Sequence, residues 1–187
     1  MDSKSLYDSL NYVNHSRENR LYYANLLLND SGLVSPVLDI LFMVDDPVSC
    51  RAAWVLEFMC GENLEAISPH LDRFTDEMHK VHLDSAVRPI AKIGEYLTKA
   101  YYGKAPSRIK ETLTKTHRER LTELCFDYMI NDEKIAPKAY SMNSLYLLGQ
   151  EFDWIHPELA NILQRDFQMQ SSGFKARARH ILKKIKK

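Results

Sequence analysis

Apolar residues recur at three- and four-residue steps along almost the whole chain, and the strict alternation that marks a half-buried strand is nearly absent. The pattern predicts an all-α protein of about nine helices. The first closes at Asn29, stopped by Asn29-Asp30-Ser31-Gly32. The others span 32–44, 47–59, 64–79, 85–97, 116–130, 137–148, 156–167 and 172–185. Most connections are short, so neighbours are expected as antiparallel hairpins. The exception is 98–115, TKAYYGKAPSRIKETLTK, read as a polar insertion containing Tyr101 and Tyr102.

Four helices share a beginning. In CRAAWVLEF, VRPIAKIGE, PKAYSMNSL and FKARARHIL the basic residue is Arg51, Arg88, Lys138 and Lys175, spaced by 37, 50 and 37 residues. A small or helix-starting residue follows each: Ala52, Pro89, Ala139 and Ala176. Pro89 is expected in a first turn, where its missing N–H has no intrahelical partner to lose. Val87, Ile90, Ala91, Gly94 and Leu97 form one face of that helix, with Arg88, Lys92, Glu95 and Lys99 opposite. CRAAWVLEFMC is apolar nearly all round, so it is expected between neighbours. Self-similarity of this length marks a helical repeat array.

The charge balance means that binding to nucleic acid or to a membrane surface would need a local patch. With 25 basic and 25 acidic side chains the chain has zero net charge, so no bulk attraction to nucleic acid or anionic membrane is expected. Cys50, Cys60 and Cys125 show neither a CxxC nor metal-type spacing and read as reduced, buried thiols. MDSKSLYDSLNYVNHSREN has no apolar stretch of a secretory signal, and the longest apolar run, 37–44, carries Asp39. A cytoplasmic protein without a membrane span is expected.

No phosphate loop, HExxH or GxSxG motif is present, and no catalytic residue, metal ligand or cofactor is assigned. His79 and His82 beside Asp84 read as surface histidines rather than a metal site. Glu57, in an apolar helix, needs a basic partner. Trp54, Glu57, Tyr140 and Trp154 are candidate groove residues, with Tyr146 a further aromatic. In the last helix Phe174, Ala178, Ile181 and Ile185 form an apolar stripe. Lys175, Arg179, Lys183 and Lys186 form a basic face flanked by Arg177, Lys184 and Lys187, seven cations in thirteen residues. That face reads as a solvated capping helix or as a contact for phosphates.

With its Val-Arg, small residues and terminal Leu, SAVRPIAKIGEYL resembles the second helix of a HEAT repeat. Asp45 stands six residues before Arg51 and Asp132 six before Lys138, the family's usual acid–base offset; His82 and Met169 hold that place in the other two units. The resemblance covers residues 33–187 and implies an α-α superhelix with charge pairs between units. It implies one domain over 1–187, with an N-terminal cap (1–32), an inter-repeat insertion (98–115) and a basic capping helix (171–187). The chain is also similar to small Bacteroidetes proteins of this kind, some labelled adenylosuccinate lyase. Of that superfamily's Ser-Ser-x-Met-Pro-x-Lys-x-Asn loop, only Ser141, Met142 and Asn143 have counterparts, so the label is not carried over.

In HEAT arrays the second helices line a concave face. The resemblance therefore implies a binding face containing Arg51, Arg88, Lys92, Lys138, Lys175, Arg179 and Lys183. A non-enzymatic scaffold for a protein or peptide is the leading expectation. The alternative is a nucleic-acid binder distantly like the HEAT-like DNA-alkylation-repair glycosylases. It would need an uncompensated basic ridge, and a pocketed acid such as Glu57 or Asp153 beside Trp54 or Trp154.

Overall fold

The computed structural model describes residues 3–186. Among these residues no strand forms, and there are eleven α-helices. They are α1 (Ser3–Leu10), α2 (Arg17–Asn29), α3 (Val34–Leu41), α4 (Pro47–Glu62), α5 (Leu71–Glu77) and α6 (Asp84–Tyr102). The series continues with α7 (Ile109–Thr112), α8 (Lys115–Ile130), α9 (Ile135–Leu148), α10 (Ile155–Asp166) and α11 (Ser172–Ile185).

The all-α expectation holds; the count of nine does not. The N-terminal segment is two helices, because the Ser16 hydroxyl accepts from the Asn19 amide and starts α2 afresh after a break. A short α7 forms inside the stretch read as a polar insertion. The helix expected over 64–79 is an α-helix only from Leu71 to Glu77. Leu64–His70 and Met78–Lys80 are 3₁₀ turns, and Pro69, which cannot donate an amide, lies in the first of them.

Pro89 departs from expectation in an informative way. α6 begins at Asp84, so Pro89 falls in its second turn, inside the helix. It has no amide for the carbonyl four residues back, which belongs to Ser85. The indole N–H of Trp54, on α4, donates to that carbonyl instead, at 2.7 Å.

Burial follows the apolar pattern. α4 packs against α2, α3 and α6, as its nearly all-round apolar surface requires. α6 continues the series onto α9, and α9 onto α11, while α5 lies on α8 and both α8 and α10 lie on α9. Val87, Ile90, Ala91, Gly94 and Leu97 are all buried, as expected for the inner face of α6. Glu95, read as part of the outer face, is buried as well, only 2% exposed. Phe174, Ala178 and Ile181 are fully buried under α11, and Ile185 is half-buried. Cys50, Cys60 and Cys125 are free and buried, and burial pushes each thiol up.

The segment read as an insertion is bound to the body. Thr98 to Tyr102 complete α6, and Ile109 and Leu113 enter the core. The Arg118 guanidinium is nearly buried on α8. It donates to the Leu113 carbonyl, holds Glu151 by two hydrogen bonds of 2.8 Å, and lies over the Tyr101 ring at 4.2 Å. The Tyr102 hydroxyl donates to the same Glu151 carboxylate at 2.7 Å.

The charge pairs between elements differ from the offset seen in the sequence. Asp45 meets His82 at 3.2 Å, and Arg51 donates to the carbonyl and side chain of Asn11. α4 and α6 are instead joined by Arg88 and Glu57, and α6 and α9 by Asn143 donating to Glu95 at 2.6 Å. Lys187, counted in the basic face, lies outside the described residues, as do Met1 and Asp2.

Candidate binding groove

An open groove of about 530 Å³ crosses the first turns of α2, α6 and α9 and the middle of α4. α4 supplies Trp54, Glu57 and Phe58, three positions that fall on one helical face. α6 supplies Asp84, Ser85 and Arg88, its first two turns. α9 supplies Ala136 and Pro137, with Lys134 just before it. His15 and Arg20 come from the loop before α2 and from α2 itself.

Each side chain has a distinct restraint. Trp54 is pinned by the Ser85 carbonyl. Arg88 grips Glu57 through both terminal nitrogens, at 3.1 and 2.6 Å. Glu57 is 7% exposed, and this fork supplies the basic partner that a buried carboxylate requires. The Lys134 ammonium meets Asp84 at 2.6 Å. Arg20 stands over the Trp54 ring at 4.7 Å and the Phe58 ring at 5.6 Å, with His15 tilted against the same indole at 4.9 Å.

Arg20 is the cation left over. Its Nε–H and one Nη2–H go to the carbonyls of Asn14 and His15. Among the described residues no carboxylate forms an ion pair with it, since Glu57 is committed to Arg88 and Asp84 to Lys134. Burial lowers the Arg20 pKa from its ordinary value; the nearby Arg88 charge lowers it further, and Glu57 opposes. The lining thus holds three cations against two carboxylates.

The other expected binding residues scatter. Lys92 ion-pairs with Glu95 at 2.7 Å and lies over the Tyr140 and Tyr96 rings at 4.4 and 4.9 Å. Lys138 is buried, with its ammonium on the Met129 carbonyl. Arg51 lies at the α1 end. Lys175 is half-buried, Arg179 is exposed over Phe167 at 5.2 Å, and Lys183 is exposed. Tyr146 stacks on His156. Trp154 is 57% exposed, stacks on Phe126, and borders a separate hollow with Phe152 and Glu119. Glu57 therefore shares a groove with Trp54, and Trp154 does not. Among the described residues no group of His, Cys, Asp and Glu is arranged to hold a metal ion.

Sequence reasoning missed Arg20 and the Arg118–Glu151 clamp. Arg20 lies in RENRLYYANLLLN, which carries no repeat or motif signal. No protein-family model, curated protein or solved structure matches the chain.

Beside the groove, Glu95 accepts from Lys92, Lys99 and Asn143. Burial pushes its carboxyl up, but these three contacts outweigh burial and hold it below the usual glutamate value. A depressed carboxyl contributes stability above the unfolded pKa of about 4.3 and loses that contribution as pH falls through the folded value. Urea unfolding of the wild type should therefore show stability falling with acidification below about pH 4.3. Glu95→Gln should cost about 1–3 kcal/mol at pH 7 and show a shallower acid loss. An equally steep acid loss in both proteins contradicts this assignment.

Proposed function

We propose that the chain is a non-enzymatic interaction scaffold of HEAT-like type. In this reading α4, α6, α9 and α11 are the inner helices of an α-α superhelix, and α3, α5, α8 and α10 are the outer ones. The order of packing from α4 to α11 supports it. The function is to bind a protein or peptide segment in the groove across α2, α4, α6 and α9. One observation carries this: the groove combines aromatic floor and polar rim, while its most buried acid is committed to structure. Both Glu57 oxygens are held by Arg88, leaving no free acid of the kind a glycosylase reading requires beside Trp54. An interface anchor needs only shape, an aromatic surface and a few placed charges.

The test is selection of a displayed random-peptide library on the purified protein. Enriched clones should bind the wild type and lose at least tenfold in affinity to Phe58→Ala, which removes a half-buried ring from the floor. Clones that bind Phe58→Ala equally well contradict the groove as the binding site.

A second reading rests on α11. Among the described residues no carboxylate ion-pairs with Lys175, Arg177, Arg179, Lys183 or Lys184, unlike Arg88 and Lys92. The apolar stripe of α11 is buried in the protein, so the helix has no face to insert into a bilayer, and a phosphate backbone suits its charge better. Fluorescence anisotropy with a labelled DNA duplex at two salt concentrations tests it. Binding should weaken steeply with salt and disappear in the Lys175→Glu, Arg179→Glu, Lys183→Glu triple variant. No binding at low salt removes the reading.

A further inference from the structure

The groove holds an unmatched cation in a particular setting. Arg20 keeps both hydrogens of Nη1 and one of Nη2 without a protein acceptor among the described residues. Arg88 commits one hydrogen from each terminal nitrogen to Glu57 and keeps three others, including Nε–H. Both guanidinium groups line the groove, Arg20 over the Trp54 and Phe58 rings and Arg88 on Glu57, the residue beside Phe58 on α4, and the Arg88 charge acts on Arg20. Two like charges held together with free donors gain from an anion placed between them.

Asp84, the lining's other carboxylate, is paired with Lys134, and two helix starts add to the site. α6 and α9 both present their first turns to the groove, and neither has a side-chain cap over its leading amides. Amides at a helix start favour negative charge. The rings of Trp54 and Phe58 already carry Arg20 on them, which keeps the guanidinium in place and limits the freedom lost on binding. Glu57 is buried and neutralised, so its charge does not repel an incoming anion as a free carboxylate would.

We propose that the Arg20–Arg88 pair is an oxyanion site, taking a carboxylate or a phosphate monoester whose organic part lies in the groove beside Trp54 and Phe58. This rests on the peptide-binding reading and gives it a chemistry: the recognised segment presents an acidic or phosphorylated side chain at this point. Planar guanidinium forks match both oxyanions, so the two share one geometry.

The test uses small probes. The protein's two indoles report separately, because Trp54 is in the groove and Trp154 borders the remote hollow on Phe126. ¹⁵N-labelled protein is titrated at constant ionic strength with phenyl phosphate, 3-phenylpropionate and, as a neutral control, benzyl alcohol. The expected result is a saturable shift of the Trp54 indole resonance with an anionic probe, a stationary Trp154 resonance, and binding at least tenfold weaker in Arg20→Gln. Tighter phenyl phosphate assigns a phosphate monoester; equal or tighter 3-phenylpropionate assigns a carboxylate. Should Arg20→Gln fail to fold, Arg20→Lys replaces it, with at least threefold weakening expected from loss of the fork. The proposal is overturned if no anion gives a saturable Trp54 shift, if benzyl alcohol binds equally well, or if the Arg20 variant binds like the wild type. The two readings fail separately. Selected peptides that need Phe58 but are indifferent to Arg20→Gln overturn the oxyanion site alone. Probe binding with no enriched peptide overturns the peptide reading alone.

Discussion

A missing amide organises the junction between α4 and α6. Pro89 lies inside α6 and leaves the Ser85 carbonyl without its helical donor. A helix interrupted this way must find another donor or leave the group to water. The chain brings Trp54 across from α4 to supply it. That bond fixes the indole against the start of α6, and the fixed indole gives Arg20 a surface to stand on and His15 a ring to lean against. One turn along, Arg88 and Glu57 bridge the same two helices. The groove is thus built by two cross-helix contacts, each meeting a demand created by burial or by proline.

The same contacts decide which charges are matched. The protein is neutral overall, yet its cations are unequal. Arg88, Lys92 and Lys134 are each matched to a named carboxylate, and Lys138 is turned into the interior. These cations form no continuous basic ridge among the described residues. Among the described residues, the cations without a carboxylate partner include Arg20 in the groove and the row along α11. These two places differ in kind. Arg20 sits over aromatic rings in a concave setting, suited to one anionic group, whereas the α11 cations form an outward row suited to a repeated charge.

Much of this is legible in the sequence, in proportion to how local its cause is. Helical periodicity marks out the long helices α4, α6, α8, α9 and α11, because burying one face needs a regular spacing that survives any arrangement. The short elements escape it: α7 has four residues, and Pro69 coincides with a 3₁₀ turn that looks helical in pattern. The need of Glu57 for a basic partner follows from its apolar surroundings, and the partner is Arg88. Glu95 and Lys138 read as outward-facing because spacing alone does not show that α9 covers α6 or that a lysine can reach back to the Met129 carbonyl. Trp54 is a candidate groove residue from sequence, but its bond to Ser85 depends on two residues thirty-one apart. Arg20 belongs to no pattern at all; only its position over Trp54 makes it a site residue.

The most direct measurement is a double-mutant cycle on unfolding free energy with Trp54→Phe and Pro89→Ala. If the indole serves the carbonyl that proline leaves open, Trp54→Phe should be costly with Pro89 present. It should be much cheaper in the Pro89→Ala background, where the alanine amide can serve the Ser85 carbonyl itself. The predicted coupling is about 0.5–1.5 kcal/mol, the net value of one hydrogen bond. Costs that add to within about 0.3 kcal/mol would show that Trp54 and Pro89 act independently, and would contradict this account of how the groove is built.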